Sequence, residues 1–181
     1  MIAGIDPGLS GAVCFIDPNQ STSCRVFDLP AHLLVRGCKK KRELDLASLV
    51  AMLTRTPIEH AFIEAVGAMP GQGVSSTFAF GKGYGAILGI LAALHIPVTT
   101  VAPVRWKKAI GVTKSKDGCR ARASQLLPLS AHEWRLKSNA GRAESALLAI
   151  YGLQQFFGTI PPANTMTADT IETAHSADRP A

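Results

Sequence analysis

What this sequence lacks narrows its class before any motif is considered. Its longest apolar stretch, Ala86 to Leu94, is about half of the roughly 20 residues that span a bilayer, so no membrane partner is expected. No basic segment precedes the strand-like run that begins after Met1, and no signal peptide is expected. Its four cysteines, Cys14, Cys24, Cys38 and Cys119, match neither a zinc-type pair nor a disulfide framework. They read as reduced thiols in a cytosol-like compartment. Acids are the scarcer charge, 13 against 19 basic residues, and a net charge of +6 leans towards a polyanionic partner.

What is present is enough for one domain. The chain has 181 residues, 47% of them apolar, which gives a real core but little room for a second unit. Its charge is concentrated. Between Pro103 and Arg122 lie Arg105, Lys107, Lys108, Lys114, Lys116, Arg120 and Arg122, opposed only by Asp117. A second knot, "RGCKKKR" from Arg36 to Arg42, falls in a glycine-containing connection that reads as a projecting loop. Two basic clusters, one including Trp106, point to nucleic acid.

Periodicity orders the elements. "IAGID" is a short buried strand stopped by Pro7 and Gly8, "GAVCFID" its hairpin partner and "SCRVFDL" a third strand. "ELDLASLVAMLTRT" has helical spacing, "EHAFIEAV" reads as a buried strand, "SSTFAFGKGYGAILGILAAL" as a long helix and "IPVTTVAP" as a further strand. Short helices carry the basic window, and a final helix runs from about Asn139 to Phe157. Residues 1–158 thus form the expected domain. The aperiodic tail Thr159 to Ala181 reads as disordered. A strand meander followed by alternating helices and strands predicts an α/β fold, a mixed sheet with helices on both faces.

Chemistry in such sheets gathers at strand ends. Asp6 closes the first strand and Glu64 closes "HAFIE", so adjacent strands would deliver both carboxylates to one edge. Glu144, on the last helix, completes a three-acid set. Oxygen donors alone favour a hard cation, Mg²⁺ or Mn²⁺, over zinc. "GAMPGQG" beside Glu64 is a loop from which Gln72 could touch a base. Lys82 and the cations of the basic window are candidates for DNA contact.

Six blocks in order, "GIDPGLSGA", "IEAV", "MPGQGVSSTFAFGKGYG", "VAPVRWKKAIG", "KSKDGCRARASQLLP" and "GRAESALLAIYG", resemble the RuvC-like Holliday junction resolvases. The branch they resemble occurs in bacteriophages and bacteria and is related to plant-organelle enzymes. The resemblance covers about residues 1 to 152. It implies an RNase H-like fold and a homodimer in the bacterial or phage-infected cytosol, associated with the nucleoid, that nicks four-way DNA junctions symmetrically. It also implies a two-metal site in which Asp6 bridges two ions, Glu64 holds one and Glu144 helps hold the other.

The resemblance also implies a fourth acid or histidine just before "GRAE", where this chain has Asn139 and Ala140. Residues four apart on a helix share a face, which favours Ala140 as the partner position of Glu144, while a frayed first turn would admit Asn139. The expectation is a chain that binds junctions and cuts them poorly. Two alternatives stay open: a junction-binding protein with the nuclease fold but no activity, and an ATPase of the actin or sugar-kinase type. The second would need a further phosphate loop and domain that the sequence does not show.

Overall fold

The computed structural model describes residues 1–20, 22–36, 39–67, 71, 73–112 and 115–158. Gln72, Lys114 and the tail from Thr159 onward lie outside the described residues.

A five-stranded sheet forms the centre, built from β1 (Ile2–Ile5), β2 (Ala12–Ile16), β3 (Arg25–Asp28), β6 (His60–Glu64) and β7 (Val98–Val101) in the order β3-β2-β1-β6-β7. The expected meander is there: β2 runs antiparallel to β1 and to β3. β6 joins β1 in parallel, and β7 joins β6 in parallel. Strands β1, β3, β6 and β7 therefore all point the same way, and their carboxyl ends share one edge.

Both faces of this sheet are covered, so its central strands are buried at every position. On one face Ala3, Ile5, Val13, Phe15 and Ile63 pack against α1 (Leu46–Thr54) and α2 (Val74–Ala93) through Leu49, Leu53, Ile87 and Leu91. On the other, Ile2, Ala12, Cys14, Ile16 and Phe62 meet α5 (Ala140–Phe157), backed by α3 (Pro103–Ile110) and α4 (Lys116–Leu126). The fold class expected from the sequence is the one observed.

Local chemistry sets the helix limits. Asp45 caps α1 by accepting from the Ser48 N–H at 3.1 Å, and Ser115 caps α4 by accepting from Gly118 N–H at 3.0 Å. Gly111 ends α3 in the left-handed region at φ 72°, which a side chain would strain. Helix α5 is buried almost all round because sheet and α4 enclose it. The hydroxyl of its buried Ser145 donates to the Arg142 carbonyl at 2.9 Å.

Helix α5 reaches the sheet through a glycine. A Cβ on Gly4 of β1 would stand 2.1 Å from the Ser145 carbonyl oxygen and 2.3 Å from the Ala149 nitrogen. Helix backbone thus lies directly on strand backbone there.

The segment expected to be a projecting loop is instead a two-stranded antiparallel ribbon, β4 (Ala31–Arg36) and β5 (Lys39–Leu44). Among the described residues the ribbon pairs with no other strand. Three consecutive lysines hide its alternation, and cross-strand hydrogen bonding forms it regardless.

Arg142 clamps the start of α5. Its guanidinium holds both Asp28 oxygens, at 2.7 and 2.8 Å, and Glu133 at 2.8 Å. Arg142 holds the Asp28 carboxyl below its usual range. A carboxylate so depressed contributes stability that is present above its unfolded pKa, near 3.9, and lost as pH falls through the folded value. Asp28 is well exposed, so the pair is worth less than about 1 kcal/mol. Asp28→Asn is expected to lower the thermal midpoint slightly at pH 7. The difference from the native chain should begin to shrink below about pH 4 and vanish only below the depressed folded pKa in parallel melts.

Candidate functional site at an acidic sheet edge

Three acids arrive from three elements. Asp6 directly follows β1, held by its N–H donating to the Ala12 carbonyl at 3.0 Å, and Gly8 N–H donates to its Oδ1 at 3.3 Å. Glu64 is the last residue of β6, and Glu144 lies just over one turn into α5. The parallel pairing of β1 with β6 places Asp6 and Glu64 at the same edge, as their strand-end positions predict.

Asp6 senses both other acids, and Glu64 senses Glu144. Burial, then the Glu144 and Glu64 carboxylates, push the Asp6 pKa up to about 7, against weaker opposition from the Gly8 N–H and the Lys116 ammonium. Burial also raises Glu64, opposed by the Trp106 hydrogen bond and the Lys107 charge. The Cys119 thiol is pushed up to about 11 by burial and by Glu144 beside it. Carboxylates that raise one another in this way suit a cation between them.

The bonds of two neighbours to these acids were not legible in the sequence. Trp106 is fully buried, and its indole N–H donates to Glu64 Oε2 at 2.9 Å, fixing that carboxylate from behind. Lys107 turns inward, with its ammonium 3.6 Å from Glu144 Oε1 and 5.0 Å from the Trp106 ring centre. Glycine again permits close approach: a Cβ on Gly141 would meet the Ser10 carbonyl at 2.4 Å and Asp6 Oδ2 at 2.9 Å. The first turn of α5 therefore lies directly against Asp6.

Ala140 opens α5 and is buried, whereas Asn139 is partly exposed. The Asn139 amide donates to the Glu133 carbonyl at 3.1 Å, and its oxygen accepts from the Ser138 hydroxyl at 3.1 Å. The carboxylate donors fit a hard divalent cation in kind and are short in number. Among the described residues no group of three His, Cys, Asp or Glu side chains is drawn together closely enough to hold a metal ion.

The expected DNA-contacting cations separate into groups. Arg105, Lys108 and Lys116 are exposed. Arg120 is bonded to the Arg135 carbonyl at 2.9 Å and Asp117 at 2.6 Å, while Arg122 donates to the Ile110 carbonyl at 2.9 Å. Lys82 pairs with Glu43 of the ribbon. Among the described residues no helix is long and apolar enough to cross a membrane.

Among solved structures, Thermus thermophilus RuvC superposes with a TM-score of 0.58 at 18% identity, covering 89% of this chain and 98% of that one. The chain has the RuvC fold. T. thermophilus RuvC in complex with a Holliday junction substrate matches with a TM-score of 0.56 at 17% identity, over 89% of this chain and 98% of that one. With this the RNase H-like expectation is met. By sequence, the RuvC-like chain is similar to the chloroplastic Holliday junction resolvase MOC1 of Chlamydomonas reinhardtii, 30% identical over 96 residues. That match takes in 52% of this chain and only 11% of the algal protein. No family model matches.

Proposed function

We propose that this chain is a Holliday junction resolvase: a homodimer that binds four-way DNA junctions and nicks two symmetrically placed strands by metal-assisted phosphodiester hydrolysis. In the chain as it stands, Ala140 leaves the site one ligand short and cleavage impaired. The observation that carries this reading is the convergence of Asp6, Glu64 and Glu144, from two strand ends and a helix, within a RuvC-type fold.

The chain's own groups have separate tasks. Asp6, Glu64 and Glu144 would hold Mg²⁺ or Mn²⁺, two ions in the full site, whose chemistry is to activate a water and stabilise the leaving oxygen. Gly8 N–H orients Asp6, and the Trp106 indole orients Glu64. Lys107 balances Glu144 in a pocket largely closed to water. Lys116, which lowers the Asp6 pKa and is itself exposed, is placed to meet a phosphate that approaches the acids. Lys114 and Gln72 keep their proposed DNA contacts as readings of the sequence alone. Junction binding and divalent-dependent cleavage of an end-labelled four-way junction, against linear duplex of the same sequence, test the proposal. Binding without cleavage in both the native chain and an acid-restored variant would leave the non-catalytic alternative.

A junction has approximate two-fold symmetry, and a C2 dimer presents two identical sites to it. Helix α2 offers the surface. Val74 and Phe78, 86% and 74% exposed, continue into Gly81, Gly85 and Gly89, none of which has another group within 4 Å of its would-be Cβ. The Cβ of Gly85→Leu therefore enters open space. The substitution is expected to leave folding intact and halve the mass seen by light scattering at micromolar concentration. An unchanged dimer mass would place the interface elsewhere.

A further inference from the structure

We propose that the β4–β5 ribbon is a second DNA-gripping element, which lays its exposed face along a duplex arm leaving the acid edge. This rests on the DNA-cleaving reading above and adds a contact surface to it.

Topology places the ribbon. β3 runs parallel to β1, and its last residue, Asp28, pairs with Ala12 at the sheet edge where Asp6 emerges. Leu29 N–H bonds to the Gly11 carbonyl at 3.0 Å, within the turn that follows Asp6, and the ribbon starts two residues later. Six residues per strand at about 3.3 Å each give a reach of about 20 Å from that edge. A phosphate seated on the acids thus belongs to a duplex that the ribbon can reach.

Register decides which side chains share a face. Directly opposed residues lie on the same side, so Leu33 with Arg42 and Val35 with Lys40 form one face, and His32 with Glu43 and Leu34 with Lys41 the other. The second face is tied to α2 by the Glu43–Lys82 pair. The first is open: Leu33 and Val35 are 53% and 60% exposed, and Lys40 and Arg42 are exposed beside them.

The occupant follows from charge. Of the charged residues between Ala31 and Leu44, the register gives the open face Lys40 and Arg42 and no acid. Two copies of such a face would set like charges against each other, which argues against a ribbon-to-ribbon contact. A polyanion with apolar sugar and base edges complements it. A two-stranded ribbon is also narrow enough for the major groove. Lysines on exposed strands have a competing use, to discourage edge-to-edge aggregation, and the experiment separates the two.

The test measures affinity for a four-way junction and for a plain duplex across a salt series. Lys40→Ala with Arg42→Ala is expected to flatten the slope of log Kobs against log salt by close to two, about 0.9 for each phosphate contact. Leu33→Ser with Val35→Ser is expected to lower affinity roughly tenfold with the slope unchanged, because it removes apolar contact and no charge. Arg25→Ala with Arg55→Ala removes the same two charges from the opposite end of the sheet and should leave the slope as it was. An unchanged slope in the ribbon variant, with or without aggregation, overturns the proposal, as does a loss of dimer mass in place of DNA affinity. Native protein that binds duplex and junction equally defeats the junction reading alone, since the ribbon is then read on duplex. Native protein that binds no DNA defeats both.

Discussion

Ala140→Asp is expected to raise divalent-dependent cleavage of a four-way junction by roughly a hundredfold or more. Residue 140 is buried at the first position of α5, one turn before Glu144, and its neighbour Gly141 lies against Asp6 Oδ2. A carboxylate there would join the acids already assembled. Supplying one ligand to a two-metal site is worth several kcal/mol in the transition state, and each 1.36 kcal/mol is tenfold in rate. A second readout is independent of turnover. A fourth carboxylate beside an Asp6 already raised to about 7 should lower the thermal midpoint in chelator, and Mn²⁺ should restore it by more than it shifts the native chain. Asn139→Asp is the comparison, and the bonds of Asn139 to Glu133 and Ser138 hold that side chain in other company. Rescue by Asn139→Asp and not by Ala140→Asp would refute the helix-face argument. Rescue by neither would leave a junction-binding protein.

Gly4→Ala is expected to destabilise the chain by about 3 kcal/mol or more, read as a lowered urea midpoint with little change in slope. The added methyl would stand 2.1 and 2.3 Å from backbone atoms of α5, and backbone cannot rotate aside as a side chain can. Either α5 lifts from β1 or the strand bows, and both loosen the core. Gly85→Ala is the matched control: the same change in mid-helix, with nothing within 4 Å, should move monomer stability by no more than about 1 kcal/mol. Equal effects at the two sites would mean that the contact at Gly4 yields cheaply.

The acids were legible because each closes an element whose pattern is plain. Asp6 precedes a Pro-Gly turn, and Glu64 ends an apolar run. Their being neighbours follows once β1 and β6 pair in parallel. Trp106 reads in the sequence as part of the basic cluster and Lys107 as a DNA-contact candidate, but their bonds to Glu64 and Glu144 were not legible. Both lie in a cationic window that reads as surface, and their partners stand 42 and 37 positions away, beyond any local periodicity. Gly141 could be quoted as part of a motif, but the reason for it, an absent methyl facing Asp6, exists only in three dimensions. The ribbon was missed because "KKKR" carries no apolar alternation, and its strand state is imposed by its partner.

The candidate site spans nearly the whole described chain, and this bears on when a growing polypeptide can assemble it. Asp6 emerges early from a ribosome, while Glu144 belongs to the last described helix. Until α5 docks, Ile2, Ala12, Cys14 and Ile16 lie bare on one side of the sheet, and the acids have no third member. Contacts this distant in sequence form late, since closing the intervening loop loses chain entropy before any packing compensates. A nascent or truncated chain that ends before Ala140 therefore carries its cationic helices without Glu144 beside the strand-end acids.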